Sequence, residues 1–165
     1  MPAKVNRPST SLTPHVSDSA DQRAAELVAI EALSLLPEVG KLVPSQLELV
    51  PGVFVHVDGY SVGPPVVLAE VFANQGPLKG GQRHKLMSDA LKLVAVSRRL
   101  FEGKAKGMLV LTDEVAADSL RRGWRGEALQ ALGVEVRTVA IPEELAARVR
   151  QAQLRQRMTN PEGKP

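Results

Sequence analysis

Apolar positions along this chain fall into two alternating patterns, and the alternation predicts an α/β domain. From Ala20 to Leu36 they recur at helical spacing. Ser19-Ala20-Asp21-Gln22 reads as a capping box at the start of that helix, and Pro37 stops it. Three short runs rich in β-branched residues follow, at Gln46–Val50, Val53–Asp58 and Val66–Ala73, separated by the turn signals Pro51-Gly52 and Gly59–Pro65. Such spacing predicts an antiparallel meander. Helical spacing returns from Gly81 to Phe101, with Leu86, Ala90, Leu93, Val94 and Phe101 on one face and Gly103 beyond the end. A strand is predicted at 107–112, helices at 113–122 and 124–132, and a last strand at 134–141. Pro142 opens a terminal helix running to about Met158. The order is α-β-β-β-α-β followed by α-α-β-α. Residues 1–18, rich in Ser, Thr and Pro, and residues 159–165 read as disordered tails around one domain at 19–158.

Composition changes this picture little. A chain of 165 residues, 44% hydrophobic and 24% charged, suits one globular domain. Aromatics at 3% argue against extensive base stacking. The net charge is only +3, but residues 148–165 carry five basic side chains (Arg148, Arg150, Arg155, Arg157, Lys164) and one acid, Glu162. The absence of cysteine excludes disulfides, thiolate zinc sites and cysteine nucleophiles. No apolar run is long enough to span a membrane and the N-terminus lacks an apolar signal core, so the expected location is the cytoplasm.

The candidate chemistry begins with one carboxylate. Glu70 interrupts the apolar run Pro65–Ala73, which reads as a strand covered on both faces. A buried charge is costly unless it is paired or binds a metal. Asp58 closes the preceding β-branched run. Two acids on neighbouring strands suggest a divalent-cation site, with ordinary salt bridges as the competing reading. Mg²⁺ is usually held by one or two carboxylates plus water and substrate phosphate. Asp58 and Glu70 would serve, with the Val71 carbonyl as a further ligand.

The element order, with Asp58 ending the second strand and Glu70 inside the third, resembles the restriction-endonuclease-like PD-(D/E)XK nuclease superfamily over residues 20–112. The family pattern is Asp, a spacer, Glu or Asp, one residue, then Lys. Here it reads Asp58, eleven residues, Glu70, Val71, and Phe72 in place of the lysine. The resemblance implies an αβββαβ core, a mixed central sheet flanked by helices, to which the C-terminal α-α-β-α is an extension. It also implies Mg²⁺- or Mn²⁺-dependent hydrolysis of phosphodiester bonds in nucleic acid, DNA ahead of RNA, with the metal on Asp58 and Glu70. The group that replaces the missing lysine would come from the following helix, which nominates Gln82 or Lys85, with Lys79 in the loop as a third candidate. Family members often carry an acid on the first helix. Glu31 falls between Leu27 and Leu35 on the apolar stripe and is the candidate third metal ligand, ahead of Glu26. Phe72 keeps a second reading open, a fold that lost catalysis and binds nucleic acid or protein.

Other motifs weigh less. Gly76–Gly81 has the glycine spacing of a phosphate loop, but Gln82 and Arg83 stand where Lys and Ser or Thr are needed. A helix N-terminus can still hold a nucleic-acid phosphate, with Lys79 and Arg83 beside it. Arg148 and Arg155 on the terminal helix suit phosphate contact or a solvated face. Lys85, Asp89 and Lys92 share a helix face and read as a solvated ion-pair row. His56 and His84 are isolated. Trp124, between Arg122 and Arg125, reads as core or helix packing rather than a stacking platform. A homodimer stays open as the assembly.

Overall fold

The structure, a computed structural model, describes Val5–Asn6 and residues 20–159, with side chains described over 20–157. The elements in chain order are β1 (Val5–Asn6), α1 (Ala20–Ser34), β2 (Val43–Val50), β3 (Val53–Ser61), β4 (Val67–Phe72), α2 (Gly80–Leu100), β5 (Lys106–Leu111), α3 (Glu114–Arg121), α4 (Gly123–Ala131), β6 (Val134–Thr138) and α5 (Glu143–Thr159). The sheet follows chain order from β1 to β6. β1 to β4 pair antiparallel, and β5 and β6 join parallel to β4. This is the α/β architecture with the αβββαβ core and ααβα extension that the pattern predicts. The expected tails lie outside the described residues, apart from Val5–Asn6, which add an unforeseen strand to β2, and Thr159, the last residue of α5.

Two layers of helix cover the sheet. Along β4 alternate side chains point to opposite faces. Val67, Ala69 and Val71 meet Ala29, Ile30 and Leu33 of α1. Leu68 and Phe72 meet Leu86, Ala90 and Leu93 of α2, together with Ala116, Ala117 and Leu120 of α3 and Leu129 of α4. α5 joins α1 through Ala25, Ala73, Leu145 and Val149. Every residue of β4 is buried, which explains its near-continuous apolar sequence.

Local chemistry sets the ends. α1 stops where the Ser34 hydroxyl donates to the Ile30 carbonyl at 2.7 Å and accepts from the Leu42 amide at 3.0 Å. α2 stops where the Gly103 amide, at a φ of +77°, donates back to Ser97 O at 2.8 Å. One expected turn is corrected. Gly59, Tyr60 and Ser61 continue β3. A Cβ at Gly59 would lie 3.0 Å from Ile30 Cδ1 and 3.3 Å from Leu42 Cβ, so glycine here permits close packing rather than a bend. β2 begins earlier than expected, at Val43, and β6 ends earlier, at Thr138. Among the described residues no helix is long and apolar enough to cross a membrane.

Candidate functional site

The site is built from a register irregularity. β2 and β3 pair Val43 with Tyr60 but Ser45 with Val57, so β3 holds one extra residue across Asp58 and Gly59. Such a bulge re-aims a side chain, and bulges concentrate beside active sites. On the other side of β3, pairing with β4 runs from Ser61↔Val67 to Gly59↔Ala69 and stops. The Val71 amide would then lack a ladder partner. Instead it donates to Asp58 Oδ2 at 2.8 Å. Asp58 therefore does not end its strand; it is held at the bulge, beside Glu70.

Glu70 lies on the α2 face of β4, between Leu68 and Phe72, and is 5% exposed. Phe72, at the position where the PD-(D/E)XK pattern carries lysine, is a core side chain packed with α2. The cation beside Glu70 comes from elsewhere. Lys92 of α2 brings Nζ to 2.7 Å from Glu70 Oε1. That short charged contact is the partner the chain supplies to the buried Oε1. Lys92 Nζ also lies 3.8 Å from Asp89 Oδ1, and Lys85 Nζ holds Asp89 Oδ2 at 3.0 Å. The row read as a solvated face is thus turned, at Lys92, onto the acid pair.

The electrostatics are those of a desolvated cluster. Burial, then the neighbouring Asp58, push Glu70 up to about 8, against the pull of Lys92. Burial also raises Asp58, against the Val71 amide, Lys92 and Lys85. Burial works against the charge on Lys85, but Asp89, Asp58 and Glu70 outweigh it and raise its pKa. Two adjacent acids that resist double ionisation titrate as a pair and keep a proton near neutral pH.

These residues fit a hard divalent cation. Among the described residues no group of three or more His, Asp or Glu converges as a cage. Two carboxylates from adjacent strands would suit Mg²⁺ or Mn²⁺, which keep open positions for water or phosphate.

Other candidates are not brought to this centre. Glu31 is exposed on α1, on the opposite face of the sheet. Gln82 Oε1 accepts from the Lys79 amide at 2.8 Å and helps close the N-terminus of α2. Lys79 is exposed at that N-terminus, and Arg83 Nη2 donates to Ser119 Oγ of α3 at 3.1 Å. Lys85 sits at the edge of the cluster with its side chain 61% exposed. Arg148 Nε pairs with Asp21 of α1 at 3.2 Å, and Arg155 is exposed on the same helix. His56 and His84 are exposed. The residue that sequence reasoning missed is Lys92. Its signal was the spacing from Lys85 and Asp89, on a face bordering the Leu86–Ala90–Leu93 stripe.

No family model matches this chain, and no curated protein matches it. Among solved structures it resembles EndoMS in its apo form, at 18% identity and a TM-score of 0.43, over 76% of this chain and 48% of that one. The chain thus spans about half the length of that protein. A likeness of this size says nothing about activity, and the function rests on the residues themselves.

Proposed function

We propose that this chain is a metal-dependent nuclease that hydrolyses phosphodiester bonds in nucleic acid. The observation that carries the reading is the convergence of Asp58 and Glu70, from adjacent strands, with Lys92 from the covering helix. That set reproduces the charges of the PD-(D/E)XK pattern although Phe72 occupies its lysine position. Asp58 and Glu70 would hold Mg²⁺ or Mn²⁺, which when bound supplies Lewis acidity toward the scissile phosphate. Lys92 would stabilise charge developing on the phosphoryl oxygens, with Lys85 supporting it from the edge. The Val71 amide fixes one oxygen of Asp58, so the acid is positioned before substrate arrives. Lys79 and Lys85 would take flanking phosphates. Arg148 and Arg155 would meet only a substrate that reaches the α5 side. DNA ahead of RNA follows from the PD-(D/E)XK resemblance alone. Asp58, Glu70 and Lys92 all come from one chain, and a homodimer stays open as the assembly.

One observation favours a second reading. Lys92 Nζ stands 2.7 Å from the Glu70 oxygen a cation would use. If that pairing persists in solution, the centre is a closed ion pair in a nuclease-like fold that binds nucleic acid or protein without cutting. Incubation of labelled single- and double-stranded DNA and RNA with Mg²⁺ or Mn²⁺, beside an EDTA control, separates the two. Cleavage by the wild type that is lost in Asp58→Ala and Lys92→Ala supports the nuclease. Intact substrate with every cation, from folded protein, supports the closed pair.

A further inference from the structure

The chain's one tryptophan takes no part in this centre, and of the expected core or helix packing the core half is corrected: Trp124 is 66% exposed. It projects from a corner that the backbone fixes tightly. α3 ends at Arg121, Gly123 turns the chain at a φ of +68°, and α4 begins at once. A Cβ at Gly126 would lie 1.8 Å from the Arg121 carbonyl oxygen, so the two helices meet there without room for a side chain. The Arg125 guanidinium lies over the indole, 4.7 Å from the ring centroid, and its Nε is buried without a hydrogen-bond partner. The ring is therefore held by a cation and largely open to solvent.

The neighbours of this ring are charged rather than apolar. Arg121 is paired with Glu114 at 2.7 Å and Asp118 at 3.2 Å. Arg122 reaches Asp118 only at 3.9 Å, with its side chain 80% exposed. Glu127 is exposed one turn on. A protein partner calls for a contiguous apolar patch at its core. A lone aromatic face among charges of both signs, backed by the Arg125 guanidinium, suits a planar base attached to phosphate. Arg83 of α2 bonds Ser119 of α3, which ties this corner to the helix that carries Lys92, on the same face of the sheet.

We propose that Trp124, backed by Arg125 and flanked by Arg122, is a stacking platform for an unpaired base of a nucleic-acid strand. A duplex hides its base faces, so the platform selects single-stranded or frayed segments. The proposal rests on the reading above that the partner is nucleic acid. Because Trp124 is the one tryptophan, indole emission reports this site alone.

The test titrates the full chain, without added divalent cation, with a fluorescein-labelled oligothymidylate and with the matching duplex. Indole emission and probe anisotropy are read in parallel. The expected result is saturable quenching by the single strand, little by the duplex, and an affinity about tenfold lower in Trp124→Ala. Arg125→Ala should weaken the single strand as well, while Mn²⁺ binding at the acid pair is unchanged in both variants. Anisotropy that reports binding with no change in emission and no loss in Trp124→Ala overturns the platform and leaves the nuclease reading intact. Absence of binding by either readout overturns the nucleic-acid reading itself, and the platform with it. An emission shift that follows protein concentration alone makes the corner a self-association surface and also overturns the proposal.

Discussion

β4 and the segment that follows it carry two buried polar clusters, built on opposite principles. At the end of the strand, Gln75 Nε2 donates to Thr112 Oγ1 at 2.8 Å and to Ala73 O at 3.3 Å, and Thr112 Oγ1 donates to Ala73 O at 3.1 Å. Gln153 of α5 completes the cluster: its Oε1 accepts from the main-chain amide of Gln75 at 2.8 Å and its Nε2 donates to the main-chain carbonyl of Gln75 at 3.0 Å. All of these groups are neutral, and each has a partner. At the middle of the strand, Glu70 is a carboxyl pushed up to about 8, and its buried oxygen meets a lysine ammonium rather than a neutral donor. Buried polar groups that serve the fold are satisfied by it. A desolvated carboxyl with a raised pKa, beside a second acid and a lysine, marks a candidate chemical site instead.

The sharpest contrast is in activity. Lys92→Ala should lower metal-dependent cleavage by about 10²–10³-fold, the scale of removing one transition-state charge contact, and Asp58→Ala should abolish it. Gln75→Leu should leave the cleavage rate close to wild type well below its melting temperature. Loss of cleavage in Gln75→Leu at full folding would break the comparison.

Stability should show the reverse. Gln75→Leu removes the donor to Thr112 Oγ1 and the Ala73 carbonyl, while Gln153 keeps its bonds to the main chain of residue 75, and should cost about 1–3 kcal/mol in urea unfolding. The paired change Glu70→Leu with Lys92→Met replaces a buried ion pair by apolar groups and should be neutral or stabilising, by about 1–4 kcal/mol. A strongly destabilised pair variant would make the acid centre structural.

The pH dependence sharpens the same point. The ordinary pKa of Glu70 is 4.5 and the folded value is about 8, so its contribution to stability is complete below pH 4.5 and is lost as pH rises through about 8. Asp58, also raised, acts in the same direction. Glu102, held low by Lys104, and Glu114, held low by Thr138 and Arg121, act instead in the acid range, where their contribution is lost as pH falls. Metal-free protein should therefore lose stability between pH 5 and 8, and Glu70→Gln should flatten that slope. The smallest effect belongs to Lys85→Ala. Its pair with Asp89 is an exposed contact on one helix, and its loss should move the unfolding free energy by less than about 1 kcal/mol.

Much of the fold was legible because periodicity is local. The β4 run, the α2 stripe and the glycines at 103, 123 and 133 carry their own signals in sequence. The acid pair was legible for the same reason, a charge inside an apolar strand. What escaped was set by register and by packing between elements. The bulge at Asp58 arises from pairing with β2, and Gly59 reads as a turn until Ile30 and Leu42 are seen against it. Lys92 looks like one member of a surface row until α2 is laid over β4. Glu31 sits on the apolar stripe of its helix, yet α1 packs so that it faces solvent. Trp124, a residue type expected inside, is turned outward by a helix corner that sequence alone does not fix.

The most direct test of the central claim is calorimetric titration of Mn²⁺ into the wild type and Glu70→Gln, in buffers of differing ionisation enthalpy. A cation that takes Asp58 and Glu70 must displace the proton they keep, so wild type should bind with release of about one proton near pH 7. Glu70→Gln should show neither binding nor release. Folded wild type that binds no Mn²⁺, or a Glu70→Gln variant that binds it as well as wild type, would contradict the account.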